Sequence, residues 1–262
     1  FGGTSVGSAD IILQTAEIIR TYAQENLLLV VVVSALKGIT NHLIKSAMEA
    51  AAGKTEAFHA RIKAIQVAHS TAIESLGLSE ERRASLSVEI QKFIDRLTNY
   101  CRSIEVLGEV TPRGMDAISS LGERMSARIV SALLSDMEIA SMPLDADRLI
   151  VTDSAFQNAT PLREETFQKS NGMLIPLLNQ GIIPVVTGYI GATHDGITTT
   201  LGRGGSDYTA AILGNVLDAQ EVWIWTDVDG VMTADPTIVH DAQVIQELTY
   251  DEVSEMAYFG AK

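Results

Sequence analysis

The chain has 262 residues, of which 46% are hydrophobic and 20% charged, and its 19 basic and 33 acidic residues give a formal net charge of −14 at pH 7. This acidic balance argues against a protein that holds nucleic acid by general neutralisation of phosphates, although a few local cations can still bind a small anion. The longest apolar run, residues 27–33, is far shorter than the roughly 20 residues that span a bilayer, and the single cysteine, Cys101, fits a reducing, cytoplasmic location.

Strands and helices alternate in the first part of the chain. Residues 2–8 form a loop rich in Gly, Ser and Thr, and residues 10–24 carry apolar side chains at helical spacing. Residues 27–33 form a continuous, largely β-branched run, which is typical of a strand covered on both faces. The polar loop 34–40 follows this strand, and Asn41 can begin the next helix.

The middle of the chain, from about residue 47 to 136, shows little strand signal. Helix-forming residues dominate there, with breaks near Gly53, Gly77 and Pro112, which predict three or four helices. The first of them, at about residues 50–109, form a helical excursion from the sheet that we interpret as a lid or an interface element.

Strand and helix signals alternate again in the second half. The predicted elements are strands at 138–143 and 149–152, a helix at 163–179, a strand at 182–187, a long Gly/Thr loop at 188–205, a helix at 206–217, a strand at 221–226 and a helix-like stretch at 250–259. Repeated strand–loop–helix units predict an α/β fold, with a mostly parallel central sheet between helix layers.

Three polar, glycine-rich loops fall at the carboxyl ends of predicted strands: 2–8, 34–40 and 198–207. In an open α/β sheet, ligands bind in the crevice beyond these ends. We therefore expect the three loops to meet at one ligand site.

The first of these loops resembles a phosphate-binding turn without matching a known pattern. Gly2 and Gly7 have the spacing of a Walker A loop, but Ser8 stands where that motif needs lysine. Glycines here let the backbone approach an anion at a helix N-terminus. A plain tight turn is the alternative.

The segment 198–207 combines three threonines, an arginine, three glycines and an aspartate at the start of a helix. Gly204 and Gly205 can present backbone N–H groups to a phosphate. Arg203 offers a two-pronged donor for a carboxylate. Asp207 can orient a lysine, lie near Mg²⁺ or simply cap the helix.

Other polar positions are ambiguous from the sequence. Asp227 and Asp229 follow a predicted strand and suit either a metal pair or an Asx turn, while Glu123 in an apolar helix is usually a solvated position. The five histidines show no metal-ligand spacing, and we predict no metal ligand in the chain. Trp223 and Trp225 face one side of their predicted strand and are interpreted as core residues.

Taken together, six segments resemble the amino acid kinase family, and within it the aspartokinases. They span the chain in the family's order: 1–6, 34–41, 122–126, 198–208, 225–231 and 259–262. The resemblance implies the amino acid kinase fold, a three-layer sandwich with a mostly parallel central sheet and helices on both faces.

The resemblance also implies a reaction. ATP with Mg²⁺ would phosphorylate the β-carboxylate of L-aspartate to give 4-phospho-L-aspartate, the first step towards lysine, threonine and methionine. Because a carboxylate is already ionised at pH 7, no general base is needed, and catalysis reduces to positioning and charge neutralisation. The implied partners are L-aspartate, ATP and a second copy in a homodimer, without nucleic acid or membrane.

The roles that the resemblance implies fall into three groups. They are catalysis by Gly3, Thr4 and Asp207; aspartate binding by Ser34, Thr40, Glu123, Arg203 and Ser206; and nucleotide binding by Gly2, Gly3, Ser5, Gly205, Thr226, Asp227, Met232 and Lys262. Arg203 would hold the substrate α-carboxylate and Glu123 its α-ammonium group. Asp207 would organise a lysine that, in the family, directly precedes the position of Phe1.

Two alternatives stay open. One is another small-molecule kinase of the same fold that acts on N-acetylglutamate, glutamate or a nucleotide, although Glu123 favours a substrate with a free α-ammonium group. The other is an amino-acid sensor without turnover. We expect residues 1–262 to be one catalytic domain of a longer polypeptide, with regulatory ACT domains following it.

Overall fold

The computed structural model describes residues 1–25, 27–226, 228, 230–235 and 238–258. The chain divides into two compact units, Phe1–Trp225 and Thr226–Lys262. No helix among the described residues is both long and apolar enough to cross a bilayer.

Most of the helices and strands follow the predicted order. They are α1 (Ala9–Gln24), β1 (Val31–Val33), α2 (Ile39–Ala51), α3 (Thr55–Ser75), α4 (Glu80–Leu107), α5 (Pro112–Ser119), α6 (Leu121–Asp136), β2 (Ser141–Leu144), a 3-10 turn (Ala146–Arg148), β3 (Val151–Thr152), α7 (Arg163–Asn179), β4 (Ile183–Thr187), β5 (Ile190–Thr193), β6 (Thr198–Thr200), α8 (Gly205–Val216) and α9 (Tyr250–Tyr258).

Strands β1, β4 and β2 form a parallel sheet, with β4 between the other two. Side chains alternate along β1: Val31 and Val33 join a core with helices α1 to α6, whereas Val32 joins a second core with α7 and α8. Since successive residues of a strand point to opposite faces, the sheet is buried on both sides. The predicted three-layer α/β sandwich with a mostly parallel sheet is confirmed.

Strands β3, β5 and β6 form a second sheet, in which β3 is parallel and β6 antiparallel to β5. The prediction that 188–205 is a single long loop was wrong, because residues 190–200 form a β-hairpin. Its turn contains Gly196 at a φ of +78°. The three consecutive threonines of β6 are β-branched and favour an extended backbone, so this stretch forms a strand once β5 supplies a partner.

The middle of the chain is helical, as predicted. Helices α3 and α4 pack against α2, and α4 also packs against α6. The predicted breaks at Gly53 and Gly77 are confirmed, and both glycines have a positive φ, of +67° and +68°. Phe58, Ile65 and Leu97 belong to the same core as the inner helices. The interpretation of this region as a lid or interface remains a prediction.

Two predicted strands are shorter than expected or missing. In place of a strand over 27–33, only Val31–Val33 is regular, because a strand forms only where β4 pairs with it. Residues 221–226 form no strand, and Trp223 is 47% exposed, so its interpretation as a core residue was wrong. The Trp225 carbonyl oxygen instead accepts a hydrogen bond from the Gly2 N–H at 3.3 Å.

The second unit contains a short bridged segment and helix α9. Met232 and Val244 form an antiparallel bridge. Thr249 precedes α9 and forms a capping box with Glu252: each backbone N–H donates to the other residue's side chain, at 2.8 and 3.3 Å.

Candidate active site

The glycine-rich segment at the start of the chain packs directly against the loop that follows β1. A Cβ atom on Gly3 would lie 3.3 Å from the Ala35 carbonyl oxygen, and one on Gly7 would lie 3.3 Å from the Gly3 carbonyl oxygen. The Ser34 N–H donates to the Phe1 carbonyl oxygen at 3.1 Å. Glycine therefore allows two of the three predicted site loops to touch backbone to backbone.

A hydrogen bond between two serines connects the third loop to the same place. The Ser34 hydroxyl donates to the Ser206 hydroxyl at 2.6 Å, across 172 residues of sequence. Gly188, at the end of β4, makes this approach possible, because a Cβ atom there would lie 2.8 Å from the Ser206 Cα. The N-terminus of α8 thus lies directly against the carboxyl ends of β1 and β4.

Glycines also shape the entry into α8. Gly202 and Gly204 have φ values of +79° and +70°, and Gly204 is the N-cap residue. A Cβ atom on Gly205 would lie only 2.7 Å from the Tyr189 ring. The first backbone N–H groups of a helix lack intrahelical partners and favour anions. The start of α8 is therefore suited to bind a carboxylate or a phosphate.

The two charged residues of this loop, Arg203 and Asp207, are exposed. Neither forms an ion pair with another described residue. The Asp207 carboxylate interacts electrostatically with the backbone nitrogen of Phe1. The Asp207 side chain is thereby associated with the residue that precedes the glycine-rich loop 2–8.

Glu123 is only 3% exposed, so its interpretation as a solvated helix position was wrong. Its carboxylate accepts a hydrogen bond from the Ala35 backbone, yet one oxygen, Oε2, has no partner. Burial raises the pKa of this carboxyl group to about 7. Gly122 allows the close packing, because a Cβ atom there would lie 2.7 Å from the Ala35 Cβ. A buried acid with a vacant acceptor suits a cationic ligand.

Three further predicted site residues of the first unit belong to the glycine-rich segment or to the start of α2. The Ser5 hydroxyl donates to the Trp225 carbonyl oxygen at 3.2 Å, the same oxygen that Gly2 contacts. Thr4 is half-buried in the glycine-rich segment, and Thr40 is half-buried in the first turn of α2.

Four predicted nucleotide-binding residues belong to the second unit. Met232 lies in the bridge with Val244, and Thr226 is the first residue of that unit. Asp227 and Lys262 lie outside the described residues. All four nucleotide-binding assignments stay predictions.

The candidate metal pair, Asp227 and Asp229, also lies outside the described residues. Across the rest of the chain that the structure describes, His, Cys, Asp and Glu side chains form no group of three or more that could hold a metal ion.

A buried ionic network that was not predicted from the sequence holds α6 in place. Arg124 pairs with Asp145 at 2.7 Å and with Asp147 at 2.6 Å, and it donates to the Thr198 hydroxyl at 3.3 Å. The sequence signal was a second charged residue beside Glu123, followed one turn later by Arg128, which also pairs with Asp145. This network ties the helix that carries Glu123 to strand β6, which leads towards Arg203.

Comparisons with known proteins agree with this arrangement. The sequence profile described as "Amino acid kinase family" matches residues 1–262. The chain is 34% identical over 271 residues to aspartokinase 3, chloroplastic, of Arabidopsis thaliana, and 36% identical over 262 residues to lysine-sensitive aspartokinase 3 of Escherichia coli K12. The whole chain is matched in both cases, against 46% and 56% of those proteins.

A solved structure shows the same fold. The crystal structure of E. coli aspartokinase III in complex with aspartate and ADP matches with a TM-score of 0.90 and 33% sequence identity, covering 100% of this chain and 56% of that one. The chain thus spans about half the length of the relatives that it matches.

Proposed function

The chain belongs to the amino acid kinase family, and from this membership we propose that it is the catalytic domain of an aspartokinase. It would transfer the γ-phosphoryl group of ATP to the β-carboxylate of L-aspartate and release 4-phospho-L-aspartate and ADP. The aspartokinases that match the whole chain support this proposal, as does the similar structure solved with aspartate and ADP. The product would enter the synthesis of lysine, threonine and methionine.

The observation that carries the proposal is the buried, partly unsatisfied carboxylate of Glu123. It contacts the loop after β1, which is bonded through Ser34 to Ser206 at the start of α8. Arg203 lies three residues before Ser206 and has no described ion-pair partner. An α-amino acid presents an ammonium and a carboxylate on one carbon atom. Glu123 and Arg203 supply the opposite charges.

We assign the α-ammonium group of aspartate to Glu123 and its α-carboxylate to Arg203, whose guanidinium group can donate two parallel hydrogen bonds. The hydroxyls of Ser34, Thr40 and Ser206 would complete the site. With both α-groups held, the β-carboxylate is the free end that reacts.

The glycine-rich segment and the start of α8 would hold the phosphates. Backbone N–H groups around Gly2, Gly3 and Gly205 can reach an anion without side-chain interference, and Thr4 and Ser5 add hydroxyl donors. Mg²⁺ would arrive bound to the ATP phosphates and neutralise part of their charge. Thr226, Asp227, Met232 and Lys262 remain the proposed nucleotide contacts in the second unit.

In the reaction, a β-carboxylate oxygen attacks the γ-phosphorus, the bond to the ADP oxygen breaks, and no proton moves. The site therefore works by alignment and by neutralising charge on the transferring group. Asp207 would orient the lysine that the family carries before the position of Phe1. This role accords with the electrostatic interaction between Asp207 and the backbone nitrogen of Phe1, the residue that this lysine would precede.

The test is to incubate the purified protein, in its natural length, with Mg·ATP and hydroxylamine, which traps acyl phosphates as hydroxamates. Aspartate, glutamate and N-acetylglutamate are supplied separately. We expect hydroxamate from aspartate alone. Product from N-acetylglutamate or glutamate instead would indicate a different kinase of this fold. Binding of aspartate without any product would indicate a sensor.

The ACT domains, the homodimer, the cytoplasmic location and the assignment of residues 1–262 to one catalytic domain remain predictions from the resemblance. Size-exclusion chromatography with light scattering on the natural-length protein tests the dimer directly.

A further inference from the structure

A buried carboxylate on α5 is hydrogen-bonded to none of the described residues proposed to bind aspartate or the nucleotide. Asp116 is 0% exposed and has no cationic partner among the described residues. Its Oδ2 accepts from the backbone N–H groups of Gln157 and Thr200 at 2.9 and 3.1 Å, and its Oδ1 accepts from the Thr200 hydroxyl at 2.8 Å. A buried charge is costly unless it is fully hydrogen-bonded, so this position holds its three donors tightly.

Two of the three donors belong to Thr200, in the segment that leads to Arg203, and the third belongs to Gln157, in a neighbouring loop. Thr200 ends β6, three residues before Arg203, whereas Gln157 lies in the loop between β3 and α7 with a φ of +73°. The two segments touch, because a Cβ atom on Gly202 would lie 2.5 Å from the Asn158 side-chain oxygen. Asp116 thus holds together the two segments that flank residues 201–203, which we call the arginine loop.

The same anchor extends to the helix that carries Glu123. The Tyr189 hydroxyl is hydrogen-bonded to the side chains of Thr200 and Ser119, and Ser119 lies one turn after Asp116 on α5. Helix α5 leads directly into α6, where Glu123 lies. Asp116 is therefore connected both to the segment that carries Arg203 and to the helix that carries Glu123, the two residues proposed to hold the α-groups of the substrate.

We propose that Asp116 is a positioning residue that sets the distance between the Arg203 guanidinium group and the Glu123 carboxylate. This inference rests on the proposed function. The α-ammonium and α-carboxylate groups share one carbon atom, so their separation is fixed, and the two protein groups must match it. Displacement of the arginine loop by about 1 Å weakens both contacts at once and can cost about a hundredfold in rate.

The test compares Asp116→Asn with Asp116→Ala. In the Asn variant, the amide oxygen can accept from both backbone N–H groups, and the amide nitrogen can donate to the Thr200 hydroxyl, which accepts hydrogen bonds as well. In the Ala variant, all three donors lose their acceptor. We expect Asp116→Ala to raise the KM for aspartate about 10- to 100-fold while the KM for ATP changes less than about threefold. Asp116→Asn should restore most of the affinity for aspartate.

The control is Leu134→Ala, which truncates a fully buried side chain on α6 that points into the helical core. It lowers the melting temperature without removing a hydrogen bond from the arginine loop. An equal rise in the KM for aspartate in this control, or equal rises for aspartate and ATP in Asp116→Ala, would overturn the positioning role.

A second readout does not depend on turnover. Amide hydrogen exchange of the ligand-free protein reports on the N–H groups of Gln157 and Thr200. We expect both to exchange faster in Asp116→Ala than in Asp116→Asn or Leu134→Ala. If the wild type forms no hydroxamate, the proposed function fails. Loss of protection would still support the anchor, and unchanged protection would overturn it.

Discussion

Glu123 is the residue whose behaviour depends most on its surroundings. Its neighbours in sequence suggest an ordinary helix position, but the fold buries its carboxyl group against the backbone of Ala35. Burial disfavours the charged form, and this effect exceeds the opposing hydrogen bonds and the charge of Arg124. The acid therefore changes its protonation state near neutral pH, where a bound ammonium group would favour the ionised form.

This raised pKa predicts a pH-dependent stability. The folded-state pKa of about 7 lies above the ordinary value of 4.5. Between these values the folded state binds more protons, so the free energy of unfolding falls as pH rises through the window, by about 3 kcal/mol. Glu123→Gln should lack this component. Urea denaturation at pH 5 and pH 8 measures it, and identical changes in the two proteins would contradict the raised pKa.

Arg203 has the opposite character, because it is exposed and has no ion-pair partner among the described residues. Removing it should cost the proposed aspartate site a charge-assisted hydrogen bond worth about 1.5–3 kcal/mol, or roughly 10- to 150-fold in kcat/KM for aspartate. The melting temperature should hardly change. Arg83→Ala, at an exposed position on α4, is the matched control. Unchanged kcat/KM in Arg203→Ala would remove this residue from the site.

At the scale of elements, the position of the α8 N-terminus depends on a glycine next to a strand. Gly188 directly follows β4, and an added Cβ atom would lie 2.8 Å from the Ser206 Cα and 2.5 Å from its hydroxyl oxygen. Helix α8 would have to move away, which would break the Ser34–Ser206 hydrogen bond. The geometry of the site thus depends on how closely one strand and one helix approach.

Gly188→Ala should therefore destabilise the protein by about 1–3 kcal/mol through overpacking. Gly172→Ala is a sharp contrast, because Gly172 is an exposed position inside α7 where an added Cβ atom meets nothing within 4 Å. That change should stabilise the protein by up to about 1 kcal/mol through helix propensity. Urea denaturation compares the two variants, and destabilisation by both would argue against the packing explanation.

The ionic network between α6 and the turn after β2 also predicts a measurable loss of stability. Arg124 and its partners Asp145 and Asp147 are largely buried. Arg124→Ala should cost about 3 kcal/mol, because Asp147 loses its cationic partner in a poorly solvated place whereas Asp145 keeps its pair with Arg128. Arg20→Ala, which removes an exposed pair with Glu17 on α1, should cost less than about 1 kcal/mol. Chemical denaturation of both variants tests the difference, and similar losses would mean that the network is effectively solvated.

At the scale of the whole first unit, the parallel sheet has two cores, one on each face. Leu134 on α6 belongs to the first core and Leu174 on α7 to the second, and both are fully buried. Because β1 and β4 contribute side chains to both cores, the layers should unfold together.

Leu134→Ala and Leu174→Ala should each destabilise the protein by about 2–5 kcal/mol. In both variants, unfolding followed by far-UV circular dichroism and by tryptophan fluorescence should give one coincident transition. Separate transitions in Leu174→Ala would show that the second core folds independently.

The sequence by itself determined the order and type of most elements. Helix α7 has the predicted bounds, and the helical region breaks at Gly53 and Gly77, where the backbone takes the left-handed conformation. These features depend on residues a few positions apart, through side-chain periodicity and local backbone sterics. Such signals are readable along the chain. The loops that form the candidate site were predictable because parallel strands place their carboxyl ends together.

Only the tertiary structure decided which side chains are buried and what they contact. The hydrogen bond that the Thr200 hydroxyl donates to Asp116 joins residues 84 positions apart, and the hydrogen bond from Ser34 to Ser206 spans 172 positions. The β5–β6 hairpin forms because each strand pairs with the other, whereas residues 221–226 pair with no described strand and remain irregular. Burial, hydrogen bonding and the pKa of Glu123 arise from neighbours in space, and a local pattern carries no information about those neighbours.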